Sequence, residues 1–586
     1  MWQFIKYVFA TIVGLFLFSL LGFFLFIGLA AALGSSEEKT NVEKNSVLKL
    51  NLNNSIQEVS VDNPFAEFTG GQGDVIGLLD IKSALANAKL DPNIKGVYLD
   101  VQYPMVGWAS AEEIRDAIID FKKSKKFVYA YGEVMTEKAY YLASVADKIY
   151  LNPAGGMEWN GLSAEYDFYK GTLDKLEIKP LVFRVGEYKS AVEPFFRENM
   201  SDASKLQNQV LINTIFNHAV ENIAKSRGIS AAQLKNLADS LSIDAPQDAL
   251  KYKLITHVGY YDEVENSLKN ELKLKEDDKI KFVGLGKYIK ADKLIKDGPS
   301  DRRIAVIIGE GAIMSGKSND GNIGSETIME ELRKARKDKK VKAVVLRINS
   351  PGGSALASDV MWREVQLTRK EKPVIASMSD VAASGGYYMA MGCDKIVAQP
   401  NTITGSIGVF SVLFNFEDTF RNKLGITFDR VNTNAHADWP SVTRDMTPFE
   451  NNRLQKSTEN IYATFTRKAA EGRKMPLAKL QALASGRVWS GKEAKENGLI
   501  DEFGGLDKAI QVAAKAAKLK EGDYRIKYPA EKNMVEQFIN KLTGNAEEQL
   551  MQQKLGDFAP YLKVLKKLQQ MQGTQARLPY DIVIKK

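Results

Sequence analysis

Two stretches of this chain lying 247 residues apart repeat one another. Lys95-Gly96-Val97-Tyr98-Leu99-Asp100-Val101 aligns with Lys342-Ala343-Val344-Val345-Leu346-Arg347-Ile348. The same offset carries Ala146-Asp147-Lys148-Ile149 onto Cys393-Asp394-Lys395-Ile396, and Pro153 onto Pro400. A duplicated pattern must fold twice by the same rules, and 586 residues exceed what one core usually supports. The chain is therefore constrained to two similar modules. Their chemistry, however, is not duplicated. The second copy carries Asn349-Ser350-Pro351-Gly352-Gly353 and Ala383-Ser384-Gly385-Gly386, where the first has Gln102-Tyr103-Pro104-Met105-Val106 and Thr136-Glu137-Lys138-Ala139. The first copy carries Arg184-Val185-Gly186-Glu187-Tyr188-Lys189, where the second reads Arg430-Val431-Asn432-Thr433-Asn434-Ala435. A serine with glycine-rich loops survives in one half and a lysine in the other, the layout of one site shared between two halves.

Short apolar runs alternate with helical patterns in each copy. In the second, Ile304–Ile308, Val341–Ile348, Pro373–Met378 and Lys395–Ala398 read as buried strands. Glu326–Lys337 and Ala355–Lys370 carry apolar residues at helical spacing between them. This alternation implies βαβ units, an α/β class and a largely parallel sheet in each module. The expected division is 1–36 as an apolar anchor, 37–46 as a tether, and 47–296 as the lysine-bearing module. A linker at 297–302, marked by Asp297-Gly298-Pro299-Ser300-Asp301, precedes the serine-bearing module at 303–525. Residues 526–586 read as a helical tail, with Leu555, Phe558, Leu562, Leu565 and Leu568 near helical spacing.

From Tyr7 to Ser36 there is no charged residue. A bilayer-spanning helix needs about 20 apolar residues, and the core of a cleaved signal peptide usually has about 7 to 15. A retained membrane anchor is the expectation, although Ala30-Ala31-Ala32-Leu33-Gly34 offers small residues of the kind found at cleavage sites. Lys6 before the segment and Glu37-Glu38 after it place the N-terminus in the cytoplasm and the body outside. A net charge of +8 over this length, with no long basic run, argues against nucleic acid as a partner. Cys393 is the sole cysteine and His218, His257 and His436 the only histidines, which excludes a structural zinc site of the Cys/His kind.

Ser384 follows an apolar strand and opens a helical run, a position that lifts a hydroxyl clear of a sheet beside helix-terminal N–H groups. It could equally be a helix N-cap. Ser350-Pro351-Gly352-Gly353 could supply a second N–H to a developing oxyanion, or simply turn the chain. Lys189 acts as a base only if burial strips its charge; most lysines are solvated. His436 lies 52 residues after Ser384, as Lys189 lies 52 after Glu137, so a Ser384–His436 pair within one module is an alternative.

Four motifs resolve these alternatives together: Tyr188-Lys189-Ser190-Ala191-Val192-Glu193-Pro194-Phe195, Asn349-Ser350-Pro351-Gly352-Gly353, Ala382-Ala383-Ser384-Gly385-Gly386 and Thr404-Gly405-Ser406-Ile407-Gly408. Their order and spacing resemble the long, tandem-repeat form of the signal peptide peptidase A family, membrane-anchored serine–lysine peptidases. The resemblance implies a Clp protease/crotonase-like fold in each module, with Ser384 as nucleophile and Lys189 as general base. It further implies that the N–H groups of Gly353 and Gly385 form the oxyanion hole and that Ser406 positions the lysine. It implies peptide-bond hydrolysis without metal or organic cofactor. The expected substrates are remnant signal peptides, and the expected assembly is a homotetramer at the bacterial inner membrane with its body on the periplasmic side. An acyl-CoA enzyme of the crotonase type is the first alternative, though it has no use for an export anchor. A catalytically inactive membrane scaffold is the second, though the two halves are complementary rather than both eroded.

Overall fold

The strand Val341–Ser350 shows how the repeat folds. It is buried on both faces and largely apolar, as suits a strand in a covered parallel sheet. Val344, Leu346 and Ile348 pack on one side with Leu332, Met361 and Val365. Ala343 and Val345 point the other way, onto Leu506, Ala509, Ile510 and Ala513. The alternation is the two-residue period of a strand sandwiched between helices. The computed structural model describes residues 2–34, 41–60, 75–291, 301–319, 321–528, 574–578 and 584–585.

The first module is built on a six-stranded parallel sheet in the order Lys281–Gly284, Ser46–Asn51, Ile94–Asp100, Phe127–Met135, Lys148–Met157, His257–Val258. The second repeats it with Arg525–Lys527, Arg303–Glu310, Val341–Ser350, Val374–Ala383, Lys395–Ala398 and Glu502–Phe503. Helices Leu78–Leu90 and Trp108–Lys122 recur as Ser325–Lys337 and Ala355–Arg369, each shifted by the same 247 positions as the sequence repeat. In the second module Ile403–Gly405 also joins Val374–Ala383, and Val488–Ser490 pairs antiparallel beyond it.

A third sheet joins the modules. Its order is Asn322–Gly324, Ala312–Met314, Gly352–Ser354, Thr574–Arg577, Val409–Asn415, Lys179–Val185. Lys179–Val185, from the lysine-bearing half, pairs antiparallel with Val409–Asn415 along its whole length. A buried charge cluster forms a second junction. The Arg347 guanidinium lies 2.8 Å from Glu58 and 2.7 Å from Glu113, and it also donates to Ser377 and Ser379. Glu113 in turn lies 2.5 Å from Lys82 and accepts from the Leu506 N–H.

Trp2–Gly34 is a single helix, and its stretch Trp2–Phe24 has a mean hydropathy of 2.2, long and apolar enough to cross a membrane. The 297–302 linker falls mostly, and the stretch Leu555 to Leu568 wholly, outside the described residues. The expectation of a helical tail is corrected where the tail is described: Arg525–Lys527, Thr574–Arg577 and Ile584–Lys585 are strands. Thr574–Arg577 lies between two strands whose backbone groups it satisfies, and that pairing overrides local helix preference.

Candidate active site

The strand Val374–Ala383 ends at Ser384, where the backbone turns sharply into the helix Gly385–Ala390. Ser384 has φ +53°, a conformation costing about 1 to 3 kcal/mol for a non-glycine residue and found where surrounding structure enforces it. The enforcement is visible. Its N–H donates to the Gly405 carbonyl at 2.8 Å, and its carbonyl accepts from the Tyr388 N–H at 2.8 Å. Its side chain makes no capping bond to the helix it opens, which removes the N-cap reading.

Lys189 arrives from the other half. After Lys179–Val185 the chain reverses at Gly186, and the Tyr188 N–H docks onto the Ser485 carbonyl. The Lys189 side chain is fully buried, with Nζ 3.0 Å from Ser384 Oγ, 3.0 Å from Ser406 Oγ and 3.4 Å from the Ser406 carbonyl. Burial pushes its pKa well below the ordinary lysine value. A neutral amine has two N–H donors and one lone pair. The Ser406 hydroxyl and carbonyl lie within reach of the donors, and the Ser384 hydroxyl, which donates to the Gly408 carbonyl at 3.3 Å, lies close enough to turn its proton to the lone pair instead. Ser406 Oγ is fixed in turn by donating to the Gly486 carbonyl at 3.2 Å, and the Ser406 N–H bonds to Arg487.

Gly385 follows Ser384 directly, and Gly353 follows Gly352 on the neighbouring glycine strand Gly352–Ser354. A methyl on Gly352 would lie 2.7 Å from the Gly385 nitrogen, so the two glycine loops abut. Gly352 needs its freedom, with φ +97°, and Gly385 has a neighbour that a side chain would strike, Ser358 Oγ at 2.6 Å from an added methyl. All five residues singled out in the sequence thus fall in one region. His436 does not join them: its Nδ1–H donates to the Glu450 carboxylate, 2.9 Å away, and its ring stacks on Phe449.

Several contributors have no sequence signal of their own. Gly486 and Arg487 act through backbone carbonyls, which carry no residue signature. Gln207 bridges the halves: its amide donates to the Tyr188 carbonyl and Ser190 Oγ, while its oxygen accepts the Val488 N–H.

A model of peptidase family S49 matches the chain twice, over residues 120–275 and 366–520. The chain belongs to peptidase family S49. It is 37% identical to Protease 4 of Salmonella typhi over 485 residues, covering 81% of this chain and 77% of that one. A chloroplastic serine protease SPPA of Arabidopsis thaliana is 37% identical over 487 residues, 82% of this chain and 70% of its own. Protease 4 of Haemophilus influenzae is 34% identical over 513 residues, 84% and 82% of the two chains. The S49 matches fall on both copies of the repeat, and the chain is a serine peptidase of tandem α/β modules.

Proposed function

We propose that this S49 peptidase is a membrane-tethered endopeptidase whose catalytic pair is divided between its two modules. Ser384 attacks the scissile carbonyl and Lys189 takes its proton. The N–H groups of Gly353 and Gly385 stabilise the oxyanion, and the protonated lysine then donates to the leaving amine. Water hydrolyses the acyl-enzyme by the reverse route. The observation that carries this reading is the 3.0 Å approach of a fully buried lysine nitrogen to the serine hydroxyl. The substrates are apolar peptides, remnant signal peptides among them, cut on the periplasmic side of the bacterial inner membrane by a homotetramer. The apolar helix Trp2–Phe24 supports the membrane tether, and the relation to a putative signal peptide peptidase SppA of Enterococcus faecium supports the substrate class.

The test is hydrolysis of an apolar fluorogenic peptide by the purified protein and by Ser384→Ala, Lys189→Ala and His436→Ala. The first two variants are expected to be inactive and the third to keep its rate. Loss in His436→Ala with retention in Lys189→Ala would overturn the divided pair. Ser406→Ala is expected to lower kcat about tenfold, roughly the worth of one well-placed hydrogen bond of about 1.4 kcal/mol. Because Ser406 acts through Lys189, its loss should also displace the acidic limb of the pH–rate profile, and Ser406→Thr should restore most of the rate. An unshifted profile would reduce Ser406 to a packing role.

A further inference from the structure

The strand that ends at Ser384 loses its even pairing just before it arrives. Ile348 pairs with Met378 and Ser350 with Ala382, so two steps along one strand span four along the other. Bulges of this kind re-aim a strand and recur beside active sites. The residues accommodated here, Ser379 and Asp380, meet the lysine-bearing module. Ser379 donates to the Glu58 carboxylate, and Asp380 accepts from the Ser110 N–H and hydroxyl.

Asn349 stands opposite the bulge. Its Oδ1 accepts the Val381 N–H at 3.3 Å, on the strand that runs on to Ser384. Its backbone carbonyl accepts the Gly311 N–H at 2.9 Å. Ser350 follows, donating to the Gly311 carbonyl at 2.7 Å and accepting the Gly352 N–H at 3.1 Å. These two residues therefore brace both approaches to the oxyanion site, the nucleophile strand on one side and Gly352–Ser354 on the other.

Glu310 decides how the Asn349 amide is turned. It ends the strand Arg303–Glu310 and faces Asn349 across the ladder. Its Oε1 accepts from Asn349 Nδ2 at 3.2 Å, and its Oε2 accepts the Glu58 N–H at 3.1 Å. A side-chain amide donates from its nitrogen and accepts at its oxygen. An acceptor at Glu310 therefore leaves the amide oxygen for Val381; turned over, the amide would set its NH₂ against the Val381 N–H. Glu58 comes from the lysine-bearing module and is buried, its carboxylate 2.8 Å from the Arg347 guanidinium. One carboxyl thus links the seat of the first module to the turn that carries the nucleophile.

We propose that Glu310 is a positioning residue for the reaction: it registers the seating of Glu58 and, through Asn349, holds Ser384 and the Gly352–Gly353 turn in place. The proposal rests on the serine–lysine reading given above. Its effect falls on the oxyanion, which forms only as the scissile carbonyl is attacked, and not on peptide binding. A serine-bearing module without Glu58 beside it keeps Glu310 but lacks one of its two donors. The brace is complete only when the modules are docked.

Hydrolysis of the apolar fluorogenic peptide by the full chain, purified in detergent, tests this. Glu310→Gln sets an amide against two donors, and kcat is expected to fall about tenfold with KM unchanged. Outright loss of an oxyanion donor costs more, roughly 10²- to 10³-fold. A peptide aldehyde, across whose C=O the Ser384 hydroxyl adds, places its oxygen in the oxyanion site and should bind the variant more weakly by the same factor. Asn349→Asp alone should also be impaired, because two carboxyls then meet. Combining Glu310→Gln with Asn349→Asp exchanges donor and acceptor, restores both hydrogen bonds and should recover most of the rate. An unchanged kcat in Glu310→Gln, or a rise in KM alone, would overturn the proposal. So would a double variant as impaired as the two single changes together. If Glu310→Gln does not fold, the double variant decides: activity near the parent's supports the brace, and its loss overturns it. An aldehyde that binds Ser384→Ala as tightly as the parent would instead sink the serine–lysine reading.

Discussion

Replacing Lys189 by alanine is expected to lower kcat/KM on the order of 10⁴-fold, the upper range for loss of a general base. Lys189→Arg should do no better, because a guanidinium keeps its proton at any working pH. The same residue sets the pH dependence. Burial lowers its pKa well below the ordinary lysine value, so the neutral base is present at far lower pH than a solvated lysine allows. Activity should rise with pH along a single limb that belongs to Lys189 and disappears from the residual rate of the alanine variant. An acidic limb unchanged in Lys189→Ala would assign it to another group. Stability should move the same way. Between the lowered folded pKa and the unfolded one, the unfolded chain holds a proton that the folded chain lacks, so the buried lysine costs stability that is recovered as pH rises through that window. Lys189→Met, which fills the same space without an amine, should therefore melt higher than the parent at neutral pH while being inactive. A lower melting temperature would show that the lysine is a structural member of the core.

The second large effect concerns the junction. Glu113→Ala leaves the Arg347 guanidinium, buried to 1% exposure, with one carboxylate where it had two. Breaking a buried pair in this way costs about 3 to 5 kcal/mol. Burial by itself raises the Glu113 carboxyl, but Arg347 and Lys82 outweigh it and hold the pKa at about 2. For a carboxylate depressed in the folded state, the stabilisation is present above the unfolded pKa and lost as pH falls through the folded one. The gap in melting temperature between parent and Glu113→Ala should therefore persist through mildly acidic pH and close only as pH approaches about 2. A gap that closes near pH 5 would mean that Glu113 is not ionised in the fold. Since Glu58, Lys82 and Glu113 belong to one module and Arg347 and Ser379 to the other, both modules should lose stability in a single transition.

The strands and helices of the repeat were legible because buried parallel strands and their covering helices impose strong periodicities, and the 247-residue offset carried them from one half to the other. The meeting of Lys189 with Ser384 was legible through the complementary losses in the two copies together with the four motifs of the family resemblance, not from either segment alone. The third sheet was not. Lys179–Val185 pairs with Val409–Asn415 across more than two hundred residues, and a hydrophobic pattern records which face of a strand is buried but not which strand lies beside it. Thr574–Arg577 carries no alternation at all, because its neighbours hold it by main-chain bonds. The carbonyls of Gly486 and Arg487 that fix Ser406 are equally silent, as any residue supplies one.

The path of Lys179–Val185 into the partner module's sheet also bears on how such a chain can be made safely. On the proposed roles, the base and the nucleophile are 195 positions apart, and a ribosome adding about 5 to 20 residues per second delivers them roughly 10 to 40 seconds apart. During that interval the emerging chain holds a lysine with nothing to activate. When Ser384 does appear, Val409–Asn415 must still follow before the strand preceding the lysine can be seated. Timing of synthesis alone thus keeps this peptidase silent until the body that confines its cleft has been built, with no separate inhibitor required for the unfinished molecule.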